Sequence, residues 1–443
     1  MGVGYEIGCN KCSSRRSVRV GVGMFHSSLE AEIESTSRKE QQIIKQIILG
    51  KQNLISESEG YSIFQCSTCC AIVNKFHIKI IENNIKNYLG VDYAVVCSNG
   101  TAALFLASMA LGLSKNDSVI IPSITFLATA NAPNFMGAEI VIADVDPYTG
   151  LMTLENAKAA IERAKNKVKA IFPVYYSGHC SEVVQLHDFA KENNIFVIED
   201  GCHALGSKYL DMNWKKIGSC KNSDICVFSF HPVKAITAGE AGVVVTNNKT
   251  IANKARLYRN HGIEKKQANF KDRTLAYDTE NVFNSWYYEM EIPSLNFRLS
   301  DIHCALGISQ LKKIDKFFDK RRKLVALYKS LIKEHNSELR VLEDTENCIS
   351  SWHLFVVLID FAKLKIKRSI VIKKLIEEGI VTQVHYIPIH LQPFYKNKNP
   401  HLKLSGAEKF YEMTLSLPLF YGMKNQDVKR IVNALSKVLS IND

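Results

Sequence analysis

The chain has 443 residues, a hydrophobic share of 46% and a net charge of +12. That length can bury a large core and hold two domains with additions, and the lack of any apolar run of about 18 residues argues against a membrane span. The basic excess is spread along the chain instead of clustering with aromatics, which speaks against a nucleic-acid partner and suits a small anionic substrate such as a nucleotide.

Residues 1–75 form an atypical N-terminal segment, unlike the rest of the chain. Met1 to Val22 carries early charges and no continuous apolar core, so no secretion signal is expected. Cys9-x-x-Cys12 and Cys66-x-x-Cys69-Cys70 could pair as a zinc site. Against that, their separation far exceeds the roughly 15–20 residues of a compact zinc ribbon, and no glycine knuckle flanks them, so no metal is expected. Ser35 to Ile48 could form a short helix, although its polar first half suits disorder. Seven further cysteines (Cys97, Cys180, Cys202, Cys220, Cys226, Cys304 and Cys348) are irregularly spaced, several in apolar runs. They read as free thiols in a reducing compartment, the cytoplasm.

From Phe76 the periodicity is regular. Ile78, Ile81, Ile85 and Leu89 mark a helix that Gly90 stops. Strands are expected at Tyr93–Val96, Ser118–Ile121, Glu139–Ala143, Val168–Val174 and Phe196–Glu199, and helices at Ala102–Leu111, Ala128–Met136, Leu154–Ala164 and Val183–Asn193. This alternation predicts an α/β fold with a mainly parallel, doubly wound sheet. Asp224–Phe228 and Gly242–Thr246 read as two more buried strands, followed by a helix at Ile251–Asn260. Residues 263–295 read as a long loop, and Leu299–Leu327 as one long helix. Strands at Phe355–Ile359 and Thr382–His385 then mix with helices at Ser369–Glu378, Gly406–Thr414 and Asn425–Leu439. The expected division is a large domain over 76–325 and a smaller C-terminal α+β domain over 326–443.

Ligands of open α/β sheets bind beyond the carboxyl ends of the strands. Past the first strand, Ser98-Asn99-Gly100-Thr101-Ala102 opens a helix, either as an anion seat or with Thr101 as a plain cap. Past the second comes Phe126, either a core residue or a stacking face. Asp200 ends the Phe196 strand, where a buried carboxylate needs a partner. Ser229 and Lys234 follow the Asp224 strand. A lysine between core strands is an exposed turn residue or is paired or covalently engaged. A phosphate seat, an aromatic, an acid and a lysine on one rim are the parts that pyridoxal phosphate needs.

These segments resemble the DegT-type aminotransferases of nucleotide-sugar biosynthesis, which share the type I aspartate-aminotransferase fold. The likeness rests on Ser98–Leu104, Thr125–Asn131, Glu199–Gly206, the Lys234 segment and Leu295–Ile302. It extends to the pseudaminic-acid transaminases through Trp286–Met290, Ala305–Leu311 and Gln383–Pro393. The resemblance implies a homodimer that moves an amino group from glutamate to C4 of a UDP-linked 4-keto-6-deoxy sugar. Lys234 would hold the cofactor covalently and shuttle the proton, with Asp200 on its ring nitrogen. Phe126 would stack on the ring and His203 lie near its hydroxyl. Gly100, Thr101, Ala102 and Ser229 would seat the phosphate, completed by Asn296 of a second copy. Arg298, His385 and Tyr386 would face the sugar nucleotide. Lys234, where dehydratases of this family carry histidine, favours transamination. The alternative is a cofactor-binding regulator or an impaired homologue without turnover.

Two departures stand out. Ala241 replaces a glycine usual in the family, and its methyl is expected to crowd the turn. Gly50–Ser58 resembles the family's start, yet Gly60-Tyr61-Ser62-Ile63 follows where Asp-Ile-Gln-Ser is expected. A one-nucleotide shift converts one into the other, so residues 59–79 read as frameshifted, with loss of a loop that lines the sugar site in relatives.

Overall fold

The computed structural model describes residues 3–8, 15–20, 63–65, 72–74, 77–335 and 339–440. The Cys9/Cys12 and Cys66/Cys69/Cys70 pairs, the Ser35–Ile48 helix and most of the frameshifted stretch lie outside them. The chain divides into two compact units, residues 1–76 with 261–293 and residues 77–260 with 294–443.

In the first unit Val3–Gly8 pairs antiparallel with Arg15–Val20, Ile63–Gln65 with Ile72–Asn74, and Ile263–Glu264 with Glu289–Met290. The expected long loop is thus largely irregular. It gains an aromatic knot: Phe270 meets Tyr287 edge-on at 4.9 Å between ring centres and stacks on Phe283 at 6.3 Å.

The second unit is built on seven strands: β1 (Tyr93–Cys97), β2 (Asp117–Pro122), β3 (Glu139–Ala143), β4 (Lys167–Ile171), β5 (Phe196–Asp200), β6 (Ile225–Ser229) and β7 (Gly242–Thr246). Their order across the sheet is β1-β7-β6-β5-β4-β2-β3. From β6 to β3 all neighbours are parallel: helices carry the chain back over the sheet between β2, β3, β4 and β5, and the helix-free connection 201–224, which holds a hairpin, does so between β5 and β6. Residues 230–241 make no such crossover, and β7 returns antiparallel to β6 and also lies antiparallel to β1. Both faces are covered. Ala103 and Leu106 of α2 (Gly100–Ala110) pack in one cluster with Ile251 and Ala255, and Ile81 and Ile85 of α1 (His77–Leu89) pack in the other with Cys304 and Leu311. Burial on both sides explains why these strands read as continuous apolar runs.

Three expectations change. The long helix is two, Asp301–Leu311 and Ile314–His335, broken at Lys312-Lys313. Thr382–His385 makes a single bridge, Gln383 to Ser416, instead of a strand. A hairpin, Lys208–Asp211 with Asn213–Lys216, was not foreseen; it turns at Met212 (φ 52°) and is joined by Cys348–Ile349. A smaller three-stranded sheet places Phe355–Leu358 between Arg340–Val341 and Thr414–Leu417. No helix among the described residues is long and apolar enough to cross a membrane.

A buried ion pair ties α1 to the sheet. Arg259 Nη1 donates to Glu82 Oε1 at 2.8 Å and to the Val96 carbonyl at 3.1 Å, while Val96 N–H donates to the same Glu82 oxygen. Removing one partner strands the other charge in the core. Arg259→Met is therefore expected to cost about 3–5 kcal/mol, and Glu82→Gln combined with it distinctly less. Urea midpoints of the single and double variants test this, and equal losses would refute the assignment.

Candidate active site

Strand ends converge at the carboxyl edge of the parallel strands. Val227 of β6 pairs with Asp200 of β5, so Ser229 lies two residues beyond the Asp200 level. Ser229 in turn pairs with Gly242, and Gly242 with Cys97 at the end of β1. A Cβ on Gly242 would lie 2.2 Å from the Asn99 carbonyl oxygen, and one on Gly100 would lie 2.8 Å from Ser229 Cβ. Only glycine lets the backbone of the α2 start settle against these strand ends.

The start of α2 is capped by Asn99, not Thr101. Asn99 Oδ1 accepts from Ala102 N–H at 2.8 Å, and the Asn99 carbonyl accepts from Ala103 N–H at 3.1 Å. Among the described residues the N–H groups of Gly100 and Thr101 donate to nothing, and Thr101 is exposed. Two open donors, a hydroxyl and the positive end of a helix dipole form a seat for an anion.

Asp200 is 5% exposed. Its Oδ2 accepts from Thr129 Oγ1 at 2.7 Å and its Oδ1 from Cys202 N–H at 3.1 Å. Thr125 Oγ1 lies 2.8 Å behind Thr129 Oγ1 and fixes that hydroxyl. Thr129 sits inside a segment singled out in the sequence, but only its place on the first turn of a helix facing β5 reveals the role. Each carboxylate oxygen keeps a lone pair for a further donor.

Lys234 lies on the loop after β6 and is half-buried. Burial pulls its amine below the ordinary lysine value, against the opposing pull of Cys202 and Asp200. Its charge in turn reaches His203, His353 and His385. Burial first, then Lys234, holds His203 and His353 well below the usual imidazole value and pushes His385 down to about 4. Burial, with Asp200 next, lifts the Cys202 thiol well above its ordinary value, so it is protonated.

The C-terminal segments close the group. Tyr386 Oη lies 3.1 Å from His203 Nε2, and His385 Nδ1 lies 2.9 Å from Ser416 Oγ. The Tyr386 ring centre is 6.0 Å from that of Phe126. Phe126 is 57% exposed, so it is not a core residue and its face is open to a ligand. Ala241 is fully buried, avoids positive φ and accepts from Phe230 N–H at 2.8 Å, so its methyl strains no turn.

Asp200, His203, Ser229, Lys234, His385, Tyr386, Phe126 and the Gly100–Ala102 turn thus share one edge. Asn296 and Arg298 are exposed and hold other partners: Arg298 pairs with Asn260, and Asn296 Oδ1 accepts from Arg298 N–H at 3.1 Å. No described contact joins either to Lys234 or Asp200. Their segment is nonetheless fixed near the α2 start, since Ser98 N–H donates to the Phe297 carbonyl at 2.9 Å. These features fit pyridoxal phosphate: an anion seat walled by Gly100 and Ser229, a carboxylate with spare lone pairs, an open aromatic face and a desolvated amine.

A sequence profile of the DegT/DnrJ/EryC1/StrS aminotransferase family matches residues 72–436. An uncharacterized protein of Methanocaldococcus jannaschii is 36% identical over 369 residues, covering 82% of this chain and 89% of that protein. A UDP-4-amino-4,6-dideoxy-N-acetyl-beta-L-altrosamine transaminase of Campylobacter jejuni is 35% identical over 359 residues, covering 81% and 88%. Among solved structures, a Helicobacter pylori aminotransferase of pseudoaminic acid biosynthesis superposes with a TM-score of 0.71 at 29% identity, covering 89% of this chain and 95% of that one.

Next to Asp200, Glu199 points into the opposite cluster. Burial lifts its carboxyl from the usual 4.5 to about 7, against the hydrogen bond from Tyr175. Tyr175 Oη donates to Oε1 at 2.9 Å. The folded protein therefore binds this proton more tightly than the unfolded chain. The stability Glu199 allows is complete below about pH 4.5 and lost as pH rises through 7. Glu199→Gln should have little effect at pH 5 and stabilise by about 2–3 kcal/mol at pH 8. Denaturation at the two pH values checks this, and a gain independent of pH would refute it.

Proposed function

Because the chain belongs to the DegT/DnrJ/EryC1/StrS aminotransferase family, we propose that it is the pyridoxal-phosphate enzyme that moves an amino group from glutamate to C4 of a UDP-linked 4-keto-6-deoxy N-acetylamino sugar, on the way to pseudaminic acid or a related surface glycan. The observation that carries the reading is Lys234, an amine held by burial below its normal basicity within electrostatic reach of Asp200. The chemistry supplied by the bound cofactor is withdrawal of electrons from the amino-bearing carbon.

The rest is done by the chain. Lys234 Nζ would hold the cofactor covalently and carry the proton at the reacting carbon, a task that a lowered basicity suits. Asp200, braced by Thr129 and the Cys202 N–H, would keep the ring nitrogen protonated. Gly100, Thr101 and Ala102 at the head of α2, with Ser229, would hold the phosphate, and Phe126 would offer its open face to the ring. His203 would lie near the ring hydroxyl. His385, Tyr386 and Arg298 face the sugar nucleotide. The large-domain span 76–325 carries the cofactor, and the span 326–443 brings His385 and Tyr386 to it.

The enzyme works as a homodimer in which Asn296 of one copy completes the phosphate seat of the other. Support comes from the exposure of Asn296 and Arg298 beside apolar Leu295, Ile302 and Leu306, which are 63%, 69% and 39% exposed. Seven free cysteines among the described residues suit a reducing cytoplasm.

Mass spectrometry of products from glutamate and a panel of UDP-4-keto sugars tests the activity. Lys234→Ala is expected to lower turnover by about 10³-fold or more; retained turnover would sink the reading. A cofactor-binding protein without turnover would bind the cofactor yet leave every sugar unchanged. For the shared site, inactive Lys234→Ala and Asn296→Ala proteins, unfolded together and refolded, should regain activity through mixed dimers with one intact site. No recovery would rule out the shared seat.

A further inference from the structure

The aminotransferase reading leaves His353 unused, although it is 5% exposed and lies within reach of the Lys234 charge. Its ring centre is 4.4 Å from that of His203, at 46° between planes. No partner for its Nδ1 exists among the described residues, so contact with His203 sets the ring instead of a bond at that atom. Its backbone is firmly held. Arg321 Nη1 donates to the carbonyls of Trp352 and His353 at 3.1 Å each and of Leu419 at 3.2 Å. His353 N–H donates to the Ser177 carbonyl at 2.9 Å, and Ser177 Oγ to the Leu354 carbonyl at 2.9 Å.

Ser177, at φ 59°, turns its own N–H to His203 Nδ1 at 3.3 Å. A ring nitrogen that accepts from a backbone N–H carries a lone pair, so neutral His203 has its hydrogen on Nε2. Nε2 lies 3.1 Å from Tyr386 Oη, hence His203 donates and the Tyr386 hydroxyl hydrogen remains available to another acceptor. The charged and titratable groups around this chain of contacts are Lys234, Asp200, Cys202, His385, Tyr176, Tyr386 and Arg321. Lys234 opposes a second proton on both imidazoles, and Arg321 opposes one on that of His353.

We propose that His353 is a positioning residue of the transfer site: its ring, packed on His203, holds His203 against Ser177 as the Nε2–H tautomer, which sets Tyr386 as a hydrogen-bond donor toward the bound substrate. The proposal rests on the aminotransferase reading, and deepens it by assigning a donor, where the other tautomer of His203 would take the Tyr386 hydroxyl hydrogen at Nε2 and leave Tyr386 only an acceptor toward the substrate.

The test uses holoenzyme labelled with ¹⁵N-histidine, with the His203 signals assigned by their loss in His203→Gln. In the unaltered protein His203 should show an unprotonated Nδ1 and a protonated Nε2 from pH 6 to pH 8. His353→Ala should mix the tautomers or protonate His203 within that range, and lower kcat roughly 10- to 100-fold. His353→Phe, which keeps a flat ring, should restore both the tautomer and most of kcat. Unchanged His203 signals in His353→Ala, or a loss of kcat that Phe does not rescue, would overturn the proposal. Should His353→Ala fail to fold, Tyr386→Phe decides: it must shift the His203 Nε2 signal while leaving Nδ1 unprotonated, and an unmoved Nε2 signal refutes the pairing. Failure of the aminotransferase reading is distinct, since the unaltered enzyme would then lack turnover whatever His203 shows.

Discussion

An amine and a carboxylate, Lys234 and Asp200, share a poorly solvated space at the carboxyl edge of the sheet, and much of the site follows from that. Charges withdrawn from water must be paired or hydrogen-bonded. Asp200 is met by the Thr129 hydroxyl and the Cys202 N–H, and Thr125 braces Thr129 from behind. Lys234 has less support, and burial makes it a weaker base than an ordinary lysine. Its residual charge helps keep three neighbouring imidazoles neutral.

Neutral histidines are directional. A charged imidazole donates from both nitrogens, whereas a neutral one donates from one and accepts at the other. Ser177 N–H on Nδ1 therefore decides the direction of the His203–Tyr386 contact. The residues that enforce it come from far apart in the chain: Ser177 after β4, Arg321 on the helix Ile314–His335, and His353 just before the strand Phe355–Leu358. The smaller C-terminal sheet contributes Ser416 under His385.

The antiparallel return of β7 performs a comparable service at the candidate anion seat. It brings Gly242 under Asn99 and places the end of β6 beside Gly100, closely enough that neither glycine tolerates a side chain. The head of α2 and the Ser229 hydroxyl are thereby set on the same edge as Asp200, whose strand pairs with β6 two residues earlier.

Taken alone, the sequence determined the alternation of strands and helices, the parallel sheet, and the candidates past each strand end. These are local properties: apolar runs buried on both faces, glycine and proline stops, and polar residues at fixed distance from a strand. It also carried Lys234 and Asp200, because an ionisable residue beside a core strand stands out in one dimension. It did not reveal the break at Lys312-Lys313, the hairpin at Met212 or the failure of Thr382–His385 to form a strand, since those depend on what each segment packs against. Nor did it separate an exposed Phe126 from a core one, or Asn99 from Thr101 as the cap. Thr129, Ser177, Arg321 and His353 acquire roles only in three dimensions. Hydrogen-bond direction and ring contact are relations between residues distant in sequence, and only the tertiary fold brings those partners within reach.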